Sequence, residues 1–296
     1  MGLLDTFRAV PWFFMGTAVT LGLLVGSFLN VVIHRLPIML ERDWKAQCLE
    51  YLGDKITVKQ PEPSSNFGKY NLVVPRSACP GCGSPITALQ NIPILSYAVL
   101  GGKCATCKAP ISLRYPLVEA LTGLLTGFLA WHYGVTWIMV FAVAYLWALI
   151  ALTFIDADTT LLPDDITLPL LWLGLLVNTG TVFTDIGSAT MGAAAGYVIL
   201  WSVYWAFKLI SGKEGMGYGD FKLLAAIGAW LGWQMLPLVI LLSAAVGTVV
   251  GIAGIILQGR DKGAKLPFGP YLAAAGFIAM VWGQPLNAWY LGRMPG

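Results

Sequence analysis

The sequence predicts an all-α protein that crosses a membrane about eight times. Of its 296 residues, 57% are hydrophobic and only 11% are charged, and the mean hydropathy is +0.72. Soluble domains typically carry about 25% charged residues, so this composition excludes an ordinary soluble fold. The net charge of +3 is too small to indicate a nucleic-acid partner. The lipid bilayer is therefore the first expected partner.

Eight apolar segments account for the predicted membrane helices. Phe13–Ile33 is uncharged and long enough for a span of ~20 residues. The seven later segments are Leu117–Trp131, Trp137–Ile155, Leu168–Phe183, Ile186–Phe207, Leu223–Trp233, Leu238–Leu257 and Pro267–Trp282. Because the apolar run 223–257 is too long for one span, we place a break at Gly232–Pro237. The predicted domains are an N-terminal segment with the first helix (1–33), a polar insert (34–115) and a seven-helix core (116–296).

The distribution of basic residues predicts the orientation of these helices. Ten of the eighteen Lys and Arg residues lie in the insert, which we therefore place in the cytoplasm. Three more lie around Lys208, Lys213 and Lys222, and another three are Arg260, Lys262 and Lys265. With eight spans both termini are then periplasmic, and only Arg8 and Arg293 lie on that side. The protein is expected to be a multi-pass membrane protein.

The stretch Met216–Leu224 places Asp220 after two glycines, where a polar loop enters an apolar segment. A carboxylate at the mouth of a membrane segment is costly, which favours a functional role. The glycines would let an extended peptide approach the backbone closely. The alternative is a glycine turn followed by an acidic residue that stabilises the first turn of a helix.

Asp156 is the predicted partner of Asp220. It directly follows an apolar segment, and the predicted topology brings both residues to the cytoplasmic face. Two adjacent carboxylates do not ionise independently, so one can activate water while the other protonates the amide nitrogen of a peptide. Asp158, Asp164 and Asp165 lie further into the polar turn, where helix capping or solvation explains them.

Two C-x-x-C pairs in the insert predict a structural zinc site. Cys79 and Cys82 are separated from Cys104 and Cys107 by 21 residues, close to the spacing of a four-cysteine zinc ribbon. The alternative is a redox pair, but two pairs flanked by Gly and Pro turns favour zinc. Four ligands would close the site and leave no position for catalysis. Cys48 is most simply a free thiol.

An ordered set of motifs resembles the type IV prepilin peptidases, which are bifunctional leader peptidases and N-methyltransferases. The set comprises Gly26–Pro37, the paired C-x-x-C, Arg114–Glu119, Asp156 through Pro163-Asp164, Gly217–Asp220 and Pro267–Tyr271. A G-x-G-D motif alone is weak evidence, whereas this set extends from end to end of the chain.

The resemblance implies a fold of the GxGD aspartic protease type with Asp156 and Asp220 as the catalytic pair. It also implies a bacterial inner-membrane location and cleavage of the leader from prepilins and pseudopilins of type II secretion, followed by N-methylation with S-adenosylmethionine. The insert is the only polar region large enough for a methyl-donor pocket, and Gly101, Gly102 and Lys103 are its weak candidates. A simple turn is the alternative for these three residues.

The remaining polar residues in apolar segments have simpler interpretations. We expect Glu119 to pair with Arg114 or to form a helix–helix hydrogen bond, and we expect Ser27 and Asn30 to form such bonds. A transporter with acidic proton relays is a second possible function, although the acids lie at segment ends rather than at the midplane. A scaffold protein of a secretion assembly is the third.

Overall fold

The computed structural model describes residues 2–52, 70–87, 89–213, 215–258, 267–290 and 292. Within these ranges the chain is helical and has no β-strand, only two isolated β-bridges, which confirms the all-α class. Part of the basic residues used to predict the orientation lie outside the described residues: Lys55, Lys59, Lys69, Arg260, Lys262, Lys265 and Arg293.

The described residues form ten α-helices. They are α1 (Leu3–Ala9), α2 (Pro11–Leu52), α3 (Leu95–Val99), α4 (Arg114–Tyr133), α5 (Trp137–Thr159), α6 (Asp164–Asn178), α7 (Ile186–Ser211), α8 (Tyr218–Leu231), α9 (Leu236–Gln258) and α10 (Gly269–Tyr290). Each of the eight apolar segments overlaps one of the eight longer helices. The break expected at Gly232–Pro237 falls between α8 and α9, where a short 3₁₀ turn connects the two helices.

Four stretches of the described residues are long and apolar enough to cross a membrane, judged by length and composition alone. They are Pro11–Leu52, Trp137–Thr159, Ile186–Ser211 and Trp233–Gly254. The helices α6 and α8, with 15 and 14 residues, are shorter than the ~20 residues that a bilayer requires. The structure therefore supports a polytopic membrane protein, and the number of eight spans stays a prediction.

Helix α2 extends well beyond the predicted first span. It continues past Ile33 to Leu52, and its 42 residues make it ~63 Å long, about twice the hydrocarbon thickness of a bilayer. The polar insert therefore begins inside a helix rather than after one.

The chain divides into two compact units, of which residues 12–128 form one. In this unit glycines bring the backbones of α2 and α4 into contact, because a Cβ on Gly26 would lie 2.8 Å from the Cα of Glu119. One turn away, the Asn30 side-chain amide donates to the carbonyl of Tyr115 at 3.1 Å. This is the expected helix–helix hydrogen bond.

The other unit comprises residues 1–11 and 129–296, and α8 is its central helix. From Phe221 to Trp230, every residue of α8 except Lys222 is buried, and the helix packs against α6, α7 and α10. The closest approach is between α7 and α8, where a Cβ on either Gly192 or Gly228 would overlap the backbone carbonyl of the other. Small residues at such contacts are typical of helix packing in membranes.

The indole of Trp230 and the amide of Asn178 fasten the end of α8 to α6. Trp230 Nε1 donates to the carbonyl of Leu170 at 2.8 Å. The Asn178 side-chain nitrogen donates to the carbonyls of Ala229 and Trp230, each at 2.9 Å. These carbonyls belong to the last turn of α8 and have no partner within the helix.

Candidate active site and metal centre

Asp220 is the third residue of α8 and is 6% exposed. Its Oδ2 accepts a hydrogen bond of 3.2 Å from the backbone amide of Gly217, the residue that caps the helix. The carboxylate therefore stabilises the start of its own helix, as the alternative interpretation proposed. That local role uses one oxygen and does not exclude a catalytic role for the other.

Asp156 lies in the last turn of α5 and is 4% exposed. Its Oδ2 accepts a hydrogen bond of 2.9 Å from the amide of Gly269, the first residue of α10. Thr160 ends α5 with a φ of +52° and turns the chain toward α6. Asp156 is thus held by a residue of the distant motif Pro267–Tyr271, for which no role was predicted from the sequence.

Leu162 packs between the segments that carry the two aspartates. A Cβ on Gly219 would lie 2.7 Å from the Cβ of Leu162, and a Cβ on Gly269 would lie 3.1 Å from its Cδ2. Glycine at both positions lets α8 and the start of α10 close on this one side chain. The carboxylates of Asp156 and Asp220 are near enough to interact electrostatically.

The second oxygen of each aspartate is available for chemistry. Oδ1 of Asp156 and Oδ1 of Asp220 accept no hydrogen bond from the residues that the structure describes, and neither atom is sealed from solvent. In each carboxylate, one oxygen is held by a glycine amide and the other accepts no hydrogen bond from the described residues. This arrangement suits general acid–base chemistry on a bound peptide.

Asp164 makes a contact that the sequence did not predict. It is exposed in the first turn of α6, consistent with the expected capping or solvation, and its carboxylate also accepts two hydrogen bonds of 2.7 Å from Nζ of Lys222, two residues after Asp220. The ion pair joins the N-terminal part of α8 to the first turn of α6. Asp158 and Asp165 are exposed, as expected for residues of a polar turn.

The two cysteine pairs lie on matching turns of the backbone. In the first turn, the backbone carbonyl of Cys79 accepts a hydrogen bond from the amide of Gly83, and the backbone amide of Cys79 donates to the carbonyl of Ser84. In the second turn, the backbone carbonyl of Cys104 accepts from the amide of Lys108, and the backbone amide of Cys104 donates to the carbonyl of Ala109. The fourth residue after the first cysteine has a positive φ in both turns, +70° at Gly83 and +61° at Lys108.

The four sulfur atoms fit a tetrahedral metal site. The Sγ atoms of Cys79, Cys82, Cys104 and Cys107 lie within 4.8 Å of one another, and those of Cys79 and Cys107 are 3.8 Å apart. A tetrahedral Zn²⁺ with Zn–S bonds of about 2.3 Å requires sulfur atoms ~3.8 Å apart. Cys48 is exposed on α2 and is not a member of this cluster.

Backbone amides favour a thiolate at one of these cysteines. Hydrogen bonds from the amides of Cys107 and Thr106 lower the pKa of the Cys104 thiol from its ordinary value to about 6. Because metals bind the thiolate, a cysteine that is ionised at neutral pH is a favourable ligand.

The predicted methyl-donor candidates form a turn directly before the second pair. Gly101 and Gly102 have φ values of +61° and +70°, and the carbonyl of Gly102 accepts from the amide of Ile111 at 2.7 Å. A Cβ on Gly102 would lie 2.8 Å from the hydroxyl of Tyr97. These residues therefore form a turn, as the alternative interpretation expected, and a role in binding the methyl donor stays a prediction.

Glu119 forms a hydrogen bond that the sequence did not predict. Its Oε2 accepts from the amide of Ile94 at 2.8 Å, and its Cα lies against Gly26 of α2. The two roles expected for it, pairing with Arg114 or a helix–helix hydrogen bond, stay predictions. The contacts of Gly269 and Lys222 were missed as well. The only signals in the sequence were the isolated acid in an apolar segment and a basic residue two positions after Asp220.

Two family models match this chain. The bacterial peptidase A24 N-terminal domain matches residues 20–133, and the type IV leader peptidase family matches residues 143–252. The second match contains both Asp156 and Asp220. This chain belongs to the type IV leader peptidase family. The resemblance seen in the sequence is thereby confirmed, and the chain is an enzyme of the leader peptidase class.

Relatives named prepilin leader peptidase/N-methyltransferase match nearly the whole chain. The protein of Aeromonas hydrophila is 55% identical over 290 residues, covering 98% of both chains. That of Pseudomonas aeruginosa is 54% identical over 291 residues, again covering 98% of both. A more distant relative from Legionella pneumophila is 44% identical, with 95% of this chain and 96% of its own covered. No solved structure matches this chain.

Proposed function

We propose that this leader peptidase cuts the leader from type IV prepilins and type II secretion pseudopilins, and then methylates the new N-terminal residue with S-adenosylmethionine. The observation that carries the peptidase half is the pair Asp156 and Asp220, buried together with one oxygen of each held by a glycine amide. The methyltransferase half is supported by the names of relatives that cover the chain from end to end.

Peptide hydrolysis needs two proton transfers, and the two carboxylates can each perform one. The ionised carboxylate takes a proton from water as the oxygen of that water bonds to the scissile carbonyl carbon. The protonated carboxyl group then donates its proton to the amide nitrogen as the C–N bond breaks. The cycle restores one shared proton, so the pair titrates as a unit.

Cleavage at the cytoplasmic edge of the membrane follows from the proposed topology of eight spans with both termini in the periplasm. Reporter fusions test this orientation directly. A cytoplasmic reporter fused after Lys213 should be active, because this position precedes the α8 segment that carries Asp220 on the cytoplasmic side. The same reporter fused after Val135, between α4 and α5, should be silent.

We propose that Cys79, Cys82, Cys104 and Cys107 hold one structural Zn²⁺ that fastens the two turns together. Zn²⁺ would supply folding free energy but no reactive water, since all four of its positions would be filled. Metal analysis of the purified protein should give one zinc per chain. Cys79→Ser should lose it, whereas Cys48→Ser should retain it.

The methyl donor is expected at the insert, with Gly101, Gly102 and Lys103 as weak candidates. The new α-amino group has a pKa of about 7.7 to 8.0, so part of it is neutral and nucleophilic at cytoplasmic pH. Positioning this amine beside the methyl group of the donor supplies much of the required rate. S-adenosylmethionine bound there would supply the methyl group, and the proton released by the amine would pass to water.

The decisive experiment separates the two activities in purified full-length protein. Asp156→Asn and Asp220→Asn should each lower prepilin cleavage by at least ~10²-fold, because one proton transfer is lost. Asp165→Asn, at an exposed carboxylate near the start of α6, is the matched control and should cleave normally. Both inactive variants should still methylate a substrate that has already been cleaved. Cleavage at the normal rate by either variant would remove that aspartate from the mechanism.

A further inference from the structure

The Glu119 carboxylate holds a strained turn in the loop between the two cysteine pairs. Ile94 has a φ of +59° and a ψ of −47°, and the amide of Leu95 bonds to the carbonyl of Pro93 across it. This is a γ-turn whose central residue has a positive φ, the rarer and more strained of the two γ-turn types, and β-branched residues such as isoleucine avoid it. The Ile94 amide points outward from the turn to Oε2 of Glu119 at 2.8 Å.

Glu119 is itself fixed by the membrane helices. It is 8% exposed and lies on α4 directly against Gly26 of α2, where the two backbones are in contact. A strained backbone persists only where its surroundings determine it, and here the determining group is a buried carboxylate. No step of the proposed mechanisms uses this carboxylate.

The turn at Ile94 continues directly into α3, which contacts the candidate methyl-donor residues. Tyr97 of α3 packs against Gly102, leaving no space for a Cβ there, and its hydroxyl donates to the carbonyl of Ile111 at 3.4 Å. Ile111 in turn donates from its amide to the carbonyl of Gly102. An unbroken series of contacts therefore leads from Glu119 to the Gly101–Lys103 turn.

We propose that Glu119 is a positioning residue for methyl transfer, acting through the Ile94 turn and Tyr97 on the Gly101–Lys103 turn. This proposal rests on the proposed location of the methyl donor in the insert. Glu119 touches neither the cysteine pairs nor the two catalytic aspartates through any contact described above. Its loss should therefore affect methylation while leaving cleavage and zinc content unchanged.

The test uses purified full-length protein, S-adenosylmethionine and a precleaved pilin substrate. Glu119→Leu removes the acceptor of the Ile94 amide at similar volume and should lower kcat/KM for the methyl donor by at least ~10-fold. Glu119→Gln retains an acceptor oxygen and should restore most of that loss. Prepilin cleavage and zinc stoichiometry should stay within twofold of the unaltered protein in both variants.

A second substitution distinguishes positioning from simple packing. Glycine adopts a positive φ without strain, so Ile94→Gly should let the turn form without its carboxylate partner. In the Glu119→Leu background, Ile94→Gly should therefore recover methylation, a rescue that a packing role of Glu119 would not produce. Thr122→Val, a change of similar volume at the same contact between α2 and α4, leaves the bond to Ile94 in place; it is the matched control and should methylate normally.

The outcomes separate this proposal from the one on which it rests. Parallel loss of cleavage and methylation in Glu119→Leu, absence of any methylation defect, or failure of the Ile94→Gly rescue would each overturn the positioning role. Gly102→Val tests the location of the methyl donor independently. If Gly102→Val methylates normally while Glu119→Leu does not, the donor lies elsewhere and the series of contacts through Tyr97 is refuted.

Discussion

The amide of Gly269 donates a hydrogen bond to Oδ2 of Asp156, a residue 113 positions earlier in the chain. A Cβ at Gly269 would lie 2.7 Å from that same oxygen, so a side chain there displaces the carboxylate. Because proton transfer depends on position within fractions of an ångström, Gly269→Ala should lower prepilin cleavage by ~10²-fold, as measured by the rate of leader removal. Gly16→Ala, where a Cβ meets open space, should have no effect.

The ion pair between Lys222 and Asp164 should influence cleavage through the position of α8. Both side chains are partly exposed, at 29% and 52%, so we expect a stability effect of at most ~1 kcal/mol. Lys222→Ala and Asp164→Ala should each lower the cleavage rate several-fold, and the double variant should be no worse than either. The reversed pair, Lys222→Asp with Asp164→Lys, should recover activity. Additive losses with no recovery would show that the two residues act separately.

The matching cysteine turns predict opposite effects of two substitutions. Lys108 adopts a positive φ that Gly83 adopts without strain at the equivalent position. Lys108→Gly should therefore stabilise the metal-bound turn by ~1 kcal/mol and tighten zinc binding, whereas Gly83→Ala should weaken it by a similar amount. Competition with a coloured zinc chelator measures both. The interpretation fails if the two variants change affinity in the same direction.

Asn178 should matter for stability rather than for chemistry. Besides its two donated bonds to α8, its side-chain oxygen accepts from the amides of Phe183 and Thr184 at 3.0 and 3.2 Å. Asn178→Leu leaves buried polar groups without partners and should cost ~1–3 kcal/mol, seen as a lower Tm in detergent. The rate of the remaining folded enzyme should be unchanged, because Asp220 lies at the opposite end of α8. Thr179→Ala, at an exposed neighbour, should shift Tm little.

Much of this architecture could be read from the sequence because it rests on local signals. Apolar runs locate helices, and two C-x-x-C pairs bring four sulfur atoms together whatever the rest of the fold does. The break after α8 was likewise marked by Gly232 and Pro237. The extension of α2 to Leu52 was missed, since a helix of charged and apolar residues outside the membrane resembles any polar segment in composition.

The parts of the site that escaped prediction are contacts between distant residues. Gly269 acts through its backbone N–H, which every residue except proline possesses, so its identity as glycine matters only because Asp156 lies beside it. Lys222 looked like an ordinary basic residue at a membrane edge until the structure placed Asp164 opposite. The bond from Ile94 to Glu119 depends on a backbone conformation that no residue type at that position suggests.

The contact between Gly192 of α7 and Gly228 of α8 has a consequence for where the substrate is cut. Two backbones touch there without any side chain between them, so neither helix can adjust by changing a rotamer. Asp220 lies eight residues, or ~12 Å, from Gly228 along the same rigid helix. This glycine pair therefore fixes the position of Asp220 relative to α7. We expect a side chain added at Gly192 to displace the whole helix, and so to shift the bond that is cut as well as the rate of cutting.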